Sequence, residues 1–65
     1  MKRRKLIRHL MDHGCELARH GAEHDIYVSE DGRFTTAVGR HREIDWFMAV
    51  AICKQLDIPR PTGSR

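Results

Sequence analysis

The chain has 65 residues, 40% hydrophobic and 32% charged, which fits one small globular domain and excludes a disordered segment or a multidomain enzyme. No run approaches the roughly 18 apolar residues of a membrane span, and the basic start Met1-Lys2-Arg3-Arg4-Lys5 lacks a signal core because Arg8, His9 and Asp12 interrupt it. A cytoplasmic protein without membrane contact is expected; its net charge is +3, and two cysteines, Cys15 and Cys53, are too few for a disulfide framework.

Residues 3–13 carry Leu6, Ile7, Leu10 and Met11 at helical spacing, an apolar stripe beside an almost wholly basic face. Gly14 stands where a C′ glycine stops a helix in a left-handed turn. Residues 15–19 alternate weakly and predict a short strand. A turn over 20–23 leads into the clearest strand, residues 24–29, centred on Ile26, Tyr27 and Val28. Asp31-Gly32 is a hairpin signal, and residues 34–38 form a third strand ended by Gly39. Connections this short require antiparallel neighbours. Asp45 can cap a last helix reaching Leu56, with Met48, Ile52 and Leu56 in its stripe, Ala49 and Cys53 beside them, and Trp46, Phe47 and Val50 widening the apolar surface. Pro59 and Pro61 end helical structure, so one domain over residues 1–59 and a loose tail over 60–65 are expected.

The predicted fold class is α+β, an αβββα two-layer sandwich in which a three-stranded antiparallel sheet carries both helices on one face. Leu6, Leu10, Leu17, Ile26, Val28, Ile52 and Leu56 are expected to fill the core. In that parity His24 lies on the helix side with Ile26 and Val28, while Asp25, Tyr27 and Ser29 face out.

Charge is distributed unevenly. Lys2, Arg3, Arg4, Lys5 and Arg8 precede the first acid, Asp12, and Arg33, Arg40 and Arg42 form a second group around the hairpin and a strand end. Clustered cations suit a polyanion such as nucleic acid; the plain alternative is a solvated, solubilising surface. His24 stands where a glycine turn runs into a strand, a place from which an imidazole can move protons near neutral pH. Its plain alternative is a core-edge histidine with a satisfied hydrogen bond. His9 and His13 share an i, i+4 face, but without a third ligand they read as solvated, and no metal or cofactor is expected. His20 flanks the turn, and His41, between Arg40 and Arg42, is a candidate phosphate contact.

The chain resembles the HicA family of bacterial toxins, small mRNA interferases of toxin–antitoxin pairs. The resemblance runs from about Lys2 to Pro59. It rests on the basic helix ending in His13-Gly14-Cys15-Glu16-Leu17, then Gly21-x-x-His24-x-Ile26-Tyr27-Val28, then Thr35-Thr36, Arg40-His41-Arg42-Glu43-Ile44 and Ile52-Cys53-Lys54-Gln55-Leu56-x-Ile58-Pro59. It implies a fold similar to the double-stranded-RNA-binding domain and identifies His24 as the catalytic residue. It further implies a metal-independent endoribonuclease that cleaves mRNA and is held inactive by a HicB-type antitoxin, with DNA met only through that antitoxin. Lys2, Arg3, Arg4, Lys5, Arg8, Arg33, Arg40 and Arg42 are then the RNA-binding candidates. The second proton-transfer group is left among Tyr27, His41, Lys5 and water. This chain departs from the family pattern at Ala37-Val38-Gly39, where many members have a proline, and at Phe47-Met48-Ala49, where many have Gly-Thr-Leu. Both departures are expected to lie away from His24. The rival functions are a non-catalytic double-stranded-RNA-binding module of the same fold and a basic adaptor for an acidic protein.

Overall fold

The computed structural model, which describes residues 1–61, has the order α1 (Arg3–Asp12), β1 (Glu16–His20), β2 (His24–Val28), β3 (Thr35–Gly39) and α2 (Trp46–Gln55). The strands form one antiparallel sheet in the order β1-β2-β3. The fold is α+β, as expected.

Each junction has a local chemical cause. Gly14 adopts φ +81°, donates to the Met11 carbonyl at 2.9 Å, and lets Cys15 donate to the Leu10 carbonyl at 3.0 Å. These are the paired bonds of a Schellman stop, closed by contact between buried apolar residues. At the far end of α2 the same two bonds recur, from Asp57 to Lys54 at 3.1 Å and from Ile58 to Cys53 at 3.0 Å. There Asp57 occupies the left-handed position with φ 58°, where glycine is usual. Asp45 caps α2 through Oδ2, which accepts from the Phe47 and Met48 amides at 3.0 and 3.4 Å. In the β2–β3 turn the Asp31 carboxylate accepts from the Ser29 hydroxyl at 2.7 Å and the Arg33 amide at 3.0 Å, while Gly32 takes φ +76°.

Both helices press on the same side of the sheet. Leu6 and Leu10 of α1, Ala49, Ile52 and Cys53 of α2, Leu56, Tyr27 and Val38 share one buried cluster, together with Cys15 and Ile44. Burying a leucine this fully contributes about 1.5–3 kcal/mol relative to leaving it exposed. Burial raises the thiol of Cys53 to about 11 and that of Cys15 above its ordinary value, so both behave as small hydrophobes. A bridge between Lys2 and Glu43, with the Arg3 amide donating to the Arg42 carbonyl at 2.8 Å, fastens the start of α1 to the segment before α2. Thr36 donates to Gln55 and joins β3 to the end of α2.

Strand parity is the reverse of the expected one. Asp25, Tyr27 and Ser29 are the buried residues of β2 and its end, with Thr36 and Val38 beside them on β3. Ile26 and Val28 are half-buried on the open face with exposed His24, and Leu17 is 39% exposed on the edge strand. Leu17, Ile26 and Val28 therefore leave the expected core list. Both alternations of this strand contain apolar residues, so hydropathy did not choose between them. Asp25 can face inward because two arginines and a histidine reach it. At the C-terminal end Pro61 is fully buried, so packing continues past residue 59; the rest of the expected tail, residues 62–65, lies outside the described residues.

Candidate active site

Asp25 is the anchor. The residue is 7% exposed, and its carboxylate meets two arginines and a histidine. Oδ2 accepts from Arg3 Nη2 at 2.7 Å, and Oδ1 lies 2.7 Å from His20 Nδ1 and 3.0 Å from Arg40 Nε. Arg40 also donates to the carbonyls of Ala22, at 3.1 Å, and Gly21; Arg3 Nε donates to the Gly39 carbonyl at 2.8 Å. Gly21 itself donates to the His24 carbonyl at 2.7 Å. The start of α1, the 20–23 turn and the end of β3 are thus gathered on one carboxylate next to His24 in sequence. The hydrogen bonds from His20 and Arg40 hold that carboxyl down at about 2.

His24 opens the other face of the same strand and is exposed. Its cross-strand partner is Gly39. A Cβ built on Gly39 would stand 3.6 Å from the His41 ring and 3.8 Å from the His24 ring, so the glycine separates two imidazoles. Both histidines line a cleft of about 240 Å³ whose remaining walls include Ala37, Ile44, Met48 and Ile52. Ala37, Gly39 and Met48 belong to the departures expected to lie away from His24; the structure instead puts them on the cleft that His24 lines. β3 and α2 are separated in sequence by a loop, which is why spacing alone did not bring them together.

The expected cations divide into four sets. Arg3 and Arg40 serve Asp25. Lys2, Arg4 and Arg42 line a neighbouring groove with them, where Lys2 Nζ is 3.4 Å from Glu43 Oε2. Lys5 and Arg8 are exposed on α1. Arg33 stacks over Phe34 at 5.5 Å and follows the opposite end of β2, about 14 Å of strand away at ~3.4 Å per residue. The expected group of Arg33, Arg40 and Arg42 is therefore split. Tyr27 is 5% exposed on the helix-covered face, opposite His24. His9 contacts the Pro59 carbonyl through Nε2 at 2.7 Å, and His13 Nδ1 contacts the His9 carbonyl at 3.0 Å.

The first turn of α1 contains no acid and four basic residues surround it, Lys2, Arg3, Arg4 and Lys5. Positive charge at the positive end of a helix dipole disfavours folding of that turn. The same arrangement concentrates positive potential at the start of α1, and so suits an anion.

Sequence reasoning missed Asp25 and Gly39. The signal for Asp25 was a single acid inside a strand, in a chain with arginines to spare. For Gly39 it was a glycine closing a strand two residues before a histidine.

The model of a protein family described as the HicA toxin of bacterial toxin–antitoxin systems matches residues 3–58. Comparisons with curated proteins and with solved structures returned no significant match. The match spans both helices and the whole sheet, including the Asp25 anchor and the His24 cleft. This chain belongs to the HicA family of toxins from bacterial toxin–antitoxin systems, which implies an antitoxin as its partner.

Proposed function

We propose that this toxin is an endoribonuclease that cleaves mRNA without a metal, with His24 moving the proton, and that a HicB-type antitoxin silences it by covering His24. The observation that carries this reading is the exposed His24 imidazole across Gly39 from His41, beside the cationic start of α1. RNA brings its own nucleophile, the 2′-hydroxyl next to the scissile phosphate. His24 takes that proton, the 2′-oxygen attacks phosphorus, and the P–O5′ bond breaks. The products are a 2′,3′-cyclic phosphate and a 5′-hydroxyl. A general acid must give the leaving O5′ a proton, and His41 is the nearer choice because Tyr27 faces the core. Arg4, Arg42 and Lys2 lie where they can offset charge on the phosphorane oxygens.

His24→Ala is expected to keep the fold and RNA affinity while cleavage slows by about 10²–10⁴-fold. A substrate carrying one 2′-deoxy nucleotide at the cut site should bind and resist cleavage. Cleavage abolished by EDTA, or products with a free 3′-hydroxyl, would mean metal-activated water is the nucleophile and would end this mechanism. Normal RNA binding without any cleavage would favour the non-catalytic module instead.

A further inference from the structure

We infer that the cleft beside His24 is a nucleobase pocket, taking one unstacked base of a single-stranded RNA and preferring guanine. The inference rests on the nuclease reading for the identity of the polymer, and on the cleft's own chemistry for the rest.

Two neighbouring depressions share Glu43. One is lined by Lys2, Arg3, Arg4, Arg40 and Arg42; the other has the apolar walls Ala37, Ile44, Met48 and Ile52. A nucleotide has parts that match each. Phosphate belongs among the cations, and a carboxylate together with an apolar wall excludes it from the other side. Of phosphate, ribose and base, only the base offers an apolar face for Ala37 and Met48, which are exposed, and for Ile44 and Ile52, which are buried behind them. The ribose then falls between the two depressions. The volume, about 240 Å³, is below the ~300–1,000 Å³ of a drug-sized pocket and is on the scale of a single ring system. A base inside a duplex cannot enter such a cleft, so the strand must be single at this point.

The polar side chains of the cleft give the preference. Apart from the two histidines, they are Glu43 and Asp45, both carboxylates. Asp45 uses Oδ2 to cap α2, and among the described residues Oδ1 has no protein donor. A carboxylate accepts hydrogen bonds and donates none. Guanine presents N1–H and N2–H₂ side by side on its Watson–Crick edge, two donors close enough to converge on one carboxylate oxygen, and Asp45 Oδ1 has the lone pairs to receive both. Adenine and cytosine present one amino group next to an acceptor, and uracil one N–H between two acceptors. Glu43 is 64% exposed and already faces Lys2, which leaves Asp45 as the selecting group.

The test uses the full chain, ¹⁵N-labelled, titrated with GMP, AMP, CMP, UMP and ribose 5-phosphate, with amide shifts followed by NMR. The expected result is that the four nucleotides move Ala37, Gly39, Ile44 and Met48, that GMP binds at least severalfold more tightly than the others, and that ribose 5-phosphate moves only the Lys2–Arg42 groove. Ala37→Leu should fill the cleft and remove the nucleotide response there while the groove still responds. Asp45→Asn keeps a good helix cap, because asparagine caps as well as aspartate, and should erase the preference for GMP. Nucleotide shifts confined to the cationic groove would overturn the pocket; equal affinity for all four bases would overturn the guanine preference. If the cleft ignores nucleotides but shifts on addition of the antitoxin, it is a protein-docking surface and the inference is wrong. The nuclease reading is judged separately. Cleavage without base binding removes only the pocket, and base binding without cleavage removes only the nuclease.

Discussion

At the scale of single residues, Asp25 decides how the site is held. Its carboxyl sits at about 2, below an unfolded value near ~3.9, so its contribution to stability is complete above that unfolded value and is lost as pH falls towards 2. Thermal melting followed by circular dichroism from pH 7 to 2 should show wild-type stability falling across that acid window. Asp25→Asn should melt lower at neutral pH and show a shallower fall; parallel curves for the two proteins would mean the carboxylate contributes nothing through its charge. His24 was legible as a site candidate because a glycine turn and a β-branched strand surround it in sequence. Its face was not, since that depended on Arg3, Arg40 and His20 arriving from three other segments to hydrogen-bond Asp25. With the parity reversed, His24 stands in solvent instead of at the edge of the core.

At the scale of elements, most boundaries were written in local chemistry. The Gly14 stop, the Asp45 cap and the Asp31-Gly32 turn each depend on residues close together in the chain, and all three form as read. Gly14 has a second reason to be glycine, because a Cβ there would come within 2.8 Å of the Glu30 side chain. The end of α2 was read only from its prolines, and it is the one stop made without glycine. A left-handed conformation costs a non-glycine residue about 1–2 kcal/mol, less for aspartate. Asp57→Gly is therefore expected to stabilise the protein by up to about 1 kcal/mol, measured as a higher urea midpoint at unchanged m-value. No gain, or a loss, would show that the Asp57 side chain offsets the strain through contacts of its own.

At the scale of the whole molecule, charge and sheet edges govern what the protein meets. If Arg4, Lys5 and Arg42 contact phosphates, replacing all three with alanine should flatten the dependence of log K for single-stranded RNA on log salt by about 2, at ~0.7 per phosphate. Base preference should survive. An unchanged slope would make these residues a solubilising surface, as the plain reading of the composition held. The last consequence belongs to β1, an outer strand whose residues are all exposed. Its ladder to β2 loses register between Leu17 and Arg19, where Ala18 is an extra residue. A regular outer strand is a template on which further strands can add, copy after copy; a strand with a residue too many twists away and offers mismatched partners. Deleting Ala18 should restore the template, and sedimentation should then report association that grows with concentration. If the deletion variant folds and stays monomeric, some other feature guards that edge. The irregular strand would thus keep a small, half-exposed sheet from polymerising with itself.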